Sequence, residues 1–138
     1  MKNPKNNQEN RKKLAKEWFS RANDDELSAK DILTDKEGAA STVCFLSQQM
    51  AEKYLKGYLI FQGEEFPKIH DLAKLLRLCQ KRDFEFSKLK LDAQYLRVFY
   101  ISTRYPGDYP QFNFKDAERA FKKALKVKKF VSNKVKIW

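Results

Sequence analysis

Between Val43 and Phe61 the apolar residues recur at three- and four-residue steps: Val43, Leu46, Met50, Ala51, Tyr54, Leu55, Tyr58, Leu59 and Phe61. Only an α-helix, with about 3.6 residues per turn, gathers such a set onto one side. The stripe is too wide for a helix that touches one neighbour, so this segment is expected at the centre of a helical core. Its complementary stripe, Gln49, Glu52, Lys53 and Lys56, keeps the same steps. Glu52 and Lys56 stand four residues apart in the order that favours an ion pair along a helix. Gly63 falls where a left-handed residue would end the helix.

The flanking sequence repeats the pattern. From about Glu9 to Leu33, Leu14, Ala15, Trp18, Ala22, Ala29, Ile32 and Leu33 mark an amphipathic helix, with Asp25 on the inward side. An inward carboxylate is costly unless it is paired or hydrogen-bonded, so Asp25 either orients a cation such as Arg104 or sits at a wet cleft edge without a special role. Thr34–Ser41 reads as a loop, with Ser41 or Thr42 available to cap the next helix. His70-Asp71-Leu72 opens a shorter helix through Cys79, and 81–90 reads as a packed loop carrying Phe84, Phe86 and Leu89. A fourth helix is expected over 91–103, with Tyr95, Leu96, Val98 and Phe99 inward. After it, Asn113-Phe-Lys-Asp116 matches a capping box with Asp in place of Glu or Gln, ahead of a last helix carrying Ala117, Ala120, Phe121, Ala124, Leu125 and Val131. The fold class is therefore all-α, an antiparallel up-and-down bundle of four to five helices. Residues 1–10 are expected to form a flexible polar tail and 11–138 one helical domain.

Charge narrows the partners. The formal net charge is +11, and Lys115 to Trp138 holds nine basic residues against two acids. Lys115, Arg119, Lys122, Lys126 and Lys129 form one stripe opposite the core face of the last helix. A polyanion such as RNA, or an acidic protein face, suits this surface, and a solvated lysine-rich helix is the plain alternative.

Several chemistries are missing. No phosphate-binding glycine loop, zinc-ligand spacing or Ser/His/Asp order occurs, so neither a metal nor a cofactor is expected. His70, the only histidine, stands at a helix start where it can cap or pack. Cys44 and Cys79 fit buried reduced thiols. No apolar run is long enough to span a bilayer and no signal-type segment is present, so a cytoplasmic protein without membrane contact is expected.

The segment Tyr100-Ile-Ser-Thr-Arg-Tyr-Pro-Gly-Asp-Tyr-Pro110 ends a helical run with an arginine and then breaks the backbone at Pro106-Gly107 and Pro110. It reads either as an ordinary inter-helix turn with packing tyrosines or as a site that displays Arg104, Tyr105 and Tyr109.

Four pieces together resemble the HEPN domain family, named for higher eukaryotes, prokaryotes and nucleotide binding. They are Trp18-x3-Ala22-x2-Asp25-x3-Ala29, Gln48-Gln49-x2-Glu52-Lys53-x2-Lys56, His70-Asp71-Leu72-x2-Leu75 and Tyr100-Ile101-x2-Arg104-Tyr105-Pro106. The resemblance implies a helical bundle that often dimerises. Some members are metal-independent endoribonuclease toxins with an R-x4–6-H motif. Others are partners of a minimal nucleotidyltransferase in two-component, toxin–antitoxin-like systems. Here Arg104 is present, but Tyr109 stands where the motif histidine is expected. Neutral tyrosine, with a reference pKa near ~10, is a poor general base, so the resemblance points to nucleotide or RNA binding rather than cleavage. The implied site comprises Arg104 as phosphate ligand, supported by Asp25, Gln49, Lys53 and Lys56. Tyr109 and Tyr105 are possible acceptors of a nucleotidyl group. An endoribonuclease using Arg104 with Tyr109 or His70, and a basic helical adaptor, are the alternatives.

Overall fold

The structure is a computed structural model and describes residues 7–66, 68–102 and 111–136. It is an all-α up-and-down bundle with no strand among the described residues. The helices are α1 (Gln8–Asp35), α2 (Ala40–Phe61), α3 (Leu72–Arg82), α4 (Lys90–Arg97), α5 (Phe99–Ser102) and α6 (Phe114–Val135).

Helix α2 is the axis. It packs against α1, α3, α4, α5 and α6, and most of its length is buried. The wide apolar stripe has this physical basis: each side of α2 meets a different helix. Ala15, Phe19, Ala22 and Ala29 are the buried residues of α1. Phe19, outside the expected α1 stripe, is only 6% exposed and stacks on Tyr54 with ring centroids 5.8 Å apart. It can do so because Gly57 leaves room: a Cβ there would lie 2.4 Å from the Phe19 ring.

Helix ends follow local chemistry. Asn7 caps α1, its side chain accepting from the backbone N–H of Glu9 and Asn10. α2 starts at Ala40 after Ala39, with no side-chain cap, so Ser41 and Thr42 lie inside the helix instead of capping it. Its end is a Schellman turn. Gly63 adopts φ +78°, and the Gly63 and Glu64 N–H groups donate to the Ile60 and Leu59 carbonyls. The Asn113–Asp116 capping box forms in both directions.

Two connectors differ from expectation. Residues 81–90 are ordered helix and turn: α3 runs to Arg82, and a 3-10 helix spans Phe84–Leu89. Within it Phe86 and Leu89 are buried while Phe84 is exposed. The fourth helical arm is interrupted at Val98, which is exposed rather than inward. Leu96 and Phe99, three residues apart, share the core face, and that leaves Val98 on the outer one. Cys44 and Cys79 are free and buried. Burial, followed by the Asp116 charge, pushes the Cys44 thiol up to about 12, and burial raises Cys79 as well.

Candidate functional site

The polar stripe of α2 folds into a buried network centred on Glu52. This carboxylate is 3% exposed, and its partner Lys56 is 5% exposed. Lys56 Nζ donates to Glu52 Oε2 at 3.1 Å, and Gln48 Nε2 donates to Oε1 at 3.2 Å. His70 Nδ1 lies 3.3 and 3.2 Å from the two oxygens. Gln48 also donates to the His70 carbonyl at 3.2 Å and accepts from Gln49 Nε2 at 2.7 Å. The adjacent glutamines thus have separate tasks: Gln48 ties α2 to the segment that carries His70, and Gln49 holds Gln48 in place. Three donors around one buried carboxylate supply the compensation that such a charge requires.

His70 is the exposed end of this network. Its side chain is 48% exposed, and its ring stacks on Tyr100 of α5 at 4.5 Å with an interplanar angle of 14°. With Nδ1 against Glu52, the carboxylate selects the tautomer protonated at Nδ1. Nε2 has no hydrogen-bond partner among the described residues. The imidazole stands between two openings. A cleft of about 670 Å³ is lined by Lys68, His70, Asp71, Lys74, Arg97, Tyr100 and neighbouring apolar groups. A groove of about 760 Å³ is lined by Leu14, Trp18, Lys56, Ile60, Phe66, Glu64, Glu65 and again Lys68 and His70.

Asp25 is paired with Lys53 at 2.6 Å, a contact between α1 and α2. Burial raises the Asp25 carboxyl above its ordinary value, while the Lys53 hydrogen bond and charge pull the other way. The short, well-formed contact is that of an ion pair held in a partly dry site. Lys56 is turned inward, its Nζ 5.4 Å from the Trp18 ring centroid and 5.8 Å from that of Phe66. The structure therefore brings Asp25 to Lys53, and Gln49 and Lys56 to the Glu52 network. Arg104, Tyr105 and Tyr109 lie outside the described residues.

The expected basic stripe on α6 is real: Lys115, Arg119, Lys122, Lys126 and Lys129 are all exposed. Part of its charge is shared within the fold. Lys126 pairs with the buried Asp92 at 3.0 Å, and Arg119 covers the Tyr95 ring at 5.2 Å. In the His70 cleft, Arg97 pairs with Asp71 at 2.8 Å, whereas Lys68 and Lys74 have no ion pair among the described residues. Neither lysine stood out in the sequence, because each belongs to a short connector or helix without periodic charge. No group of three or more metal-ligating side chains clusters among the described residues. No described helix is long and apolar enough to cross a membrane.

The α-helical bundle that carries this network agrees with what the family comparison shows. Residues 15–135 match the HEPN domain model, and the chain belongs to that family. The crystal structure of TT1696 from Thermus thermophilus is similar, at 29% identity and TM-score 0.78 over 87% of this chain and 97% of that one. An archaeal HEPN homologue is 27% identical, with TM-score 0.70 over 88% and 97% of the two chains. No curated protein matches.

Proposed function

We propose that this HEPN protein binds a nucleotide or RNA in the cleft at His70, as the non-catalytic partner of a minimal nucleotidyltransferase. The observation that carries the reading is the cation set of the cleft: Lys68 and Lys74 are unpaired among the described residues and line one opening with His70, Arg97 and the Tyr100 ring. Unpaired lysines suit the phosphate of a nucleotide or of RNA. The cleft volume of about 670 Å³ is within the range of small-ligand sites. Asp25, Gln49, Lys53 and Lys56 support the site from behind by fixing α1 and the His70 segment to α2.

Arg104 joins this reading by its place in the chain, two residues beyond α5, whose Tyr100 and Ile101 line the cleft. As a bidentate phosphate ligand, its loss in Arg104→Ala weakens nucleotide or RNA affinity by about 1–3 kcal/mol. Unchanged affinity removes Arg104 from the site. Tyr105 and Tyr109 are proposed acceptors of a nucleotidyl group from the partner, a role read from the family resemblance. The homodimer is proposed on the same resemblance, and the cytoplasmic setting on the character of the sequence alone. Isolation of the protein from its native cell tests the partnership: a nucleotidyltransferase bound to it supports the reading, and a protein recovered alone and unmodified contradicts it.

One observation favours a second reading, a metal-independent endoribonuclease. Glu52 orients His70 through Nδ1 and leaves Nε2 unpartnered, the arrangement of a histidine general base. Incubation of the protein with RNA in EDTA decides: cleavage lost in His70→Ala puts the enzyme first, and intact RNA excludes it.

A further inference from the structure

The cleft and the groove differ in chemistry although they share Lys68 and His70 as a common wall. The cleft is cationic, whereas the groove is floored by aromatic rings and edged by carboxylates. Trp18 and Phe66 are half-buried and meet edge to face, with centroids 6.4 Å apart and planes at 68°. They are held in place by the Lys56 ammonium, itself anchored on Glu52. Of the two acids at the rim, Glu64 pairs with Arg82 at 3.0 Å, while Glu65 is exposed and has no ion pair among the described residues.

We propose that this groove is a nucleobase subsite for single-stranded RNA, selective for guanine. The proposal rests on the reading of the neighbouring cleft as the phosphate site. A carboxylate repels a phosphate, so Glu65 argues against a backbone running through the groove. The same group accepts hydrogen bonds from a base edge, and guanine offers two adjacent donors, N1–H and the 2-amino group, to one carboxylate. The fixed rings give the base an apolar face to pack on, as in single-strand-binding proteins. Lys68, three residues after Glu65 and lining both openings, is placed to meet the phosphate of the nucleotide whose base occupies the groove. RNA then crosses the wall at His70, base on the aromatic side and phosphate on the lysine side.

The chain has two tryptophans, so Trp138→Phe leaves Trp18 as the single indole reporter. Titration of that variant with guanosine monophosphate, uridine monophosphate and ribose 5-phosphate reads the subsite directly. Guanosine monophosphate is expected to change Trp18 fluorescence and to bind roughly tenfold or more tighter than ribose 5-phosphate. Phe66→Ala is expected to reduce its affinity to the ribose 5-phosphate level. Glu65→Gln, an exposed change that spares the core, is expected to narrow the preference for guanine over uracil. Equal binding of all three ligands, with no response to Phe66→Ala or Glu65→Gln, overturns the base subsite and leaves the cleft reading intact. Failure of every ligand, ribose 5-phosphate and RNA oligomers included, removes the phosphate cleft and the subsite with it.

Discussion

Replacement of Glu52 by alanine exposes the core of the account. The carboxylate is 3% exposed and takes hydrogen bonds from Gln48, Lys56 and His70. Without it the Lys56 ammonium, 5% exposed, keeps its two aromatic neighbours but loses its counter-charge. Removing one member of a buried ion pair costs about 3–5 kcal/mol, because the partner's desolvation is left uncompensated. Unfolding entropy scales as roughly 2.1 cal/mol/K per residue, so across this chain that loss corresponds to a fall in Tm of roughly 10–17 °C. The counter-experiment removes both charges. Glu52→Gln combined with Lys56→Met is expected to recover much of the loss, because the stranded ammonium is gone. The assay is urea and thermal unfolding followed by circular dichroism, with the nitrogen shifts of the imidazole as a local readout. The chain contains one histidine, so its ring signal is unambiguous, and Glu52→Gln should relax the preference for the Nδ1–H tautomer. A Glu52→Ala protein destabilised by about 1 kcal/mol or less would refute the reasoning, since it would place the cluster in water rather than in a dry interior.

Other consequences follow from packing and titration. Gly57→Ala gains helix propensity but forces a methyl into the Phe19 ring, and overpacking of this kind costs about 1–3 kcal/mol. In a Phe19→Leu background the same change should cost less, a coupling that a double-mutant cycle measures. Lys134 binds Asp83 at 2.7 Å and Glu85 at 3.0 Å, clamping α6 to the 3-10 helix. It holds both carboxyls below their ordinary values of 3.8 and 4.5. Their contribution is therefore present above those values and is lost as pH falls through the lower folded ones. The stability gap between wild type and Lys134→Met should be constant near neutral pH and close on acidification below about 4. A gap that persists at strongly acidic pH contradicts the clamp.

Much of the bundle could be read from spacing, because the 3.6-residue period of α1, α2 and α6 is imposed by burial and survives in the order of the letters. Less local features could not be read so. Val98 fits an apolar run but points outward once Leu96 and Phe99 take the core face. Phe19 reads as a misplaced aromatic until Gly57, 38 residues later, supplies the missing space. The stripe Gln49–Glu52–Lys53–Lys56 was legible as polar, and periodicity alone puts a polar stripe at the surface. It is instead buried at Glu52 and Lys56, because the His70 connector and the α1 aromatics close over it. Asp25 was legible as a carboxylate that could orient a cation, but Arg104 was the one named from the sequence, and the structure pairs Asp25 with Lys53 of α2. His70 was the least legible: the sequence showed a lone histidine without ligand-type neighbours, and its partner Glu52 lies 18 residues away. Lys68 and Lys74 acquire their meaning only from the cleft that they share.

Affinity for short single-stranded RNA, compared between two double charge reversals, tests the central claim most directly. Lys68→Glu with Lys74→Glu alters the His70 cleft, and Lys122→Glu with Lys129→Glu changes net charge equally on the exposed face of α6. Long-range attraction is the same for both, so a difference between them reports direct contact. The account predicts a loss of roughly a hundredfold for the cleft variant, about two charge-assisted phosphate contacts, and only a few-fold loss for the α6 variant. Equal losses, or a larger loss on α6, would contradict it and move the RNA surface from the cleft to the last helix.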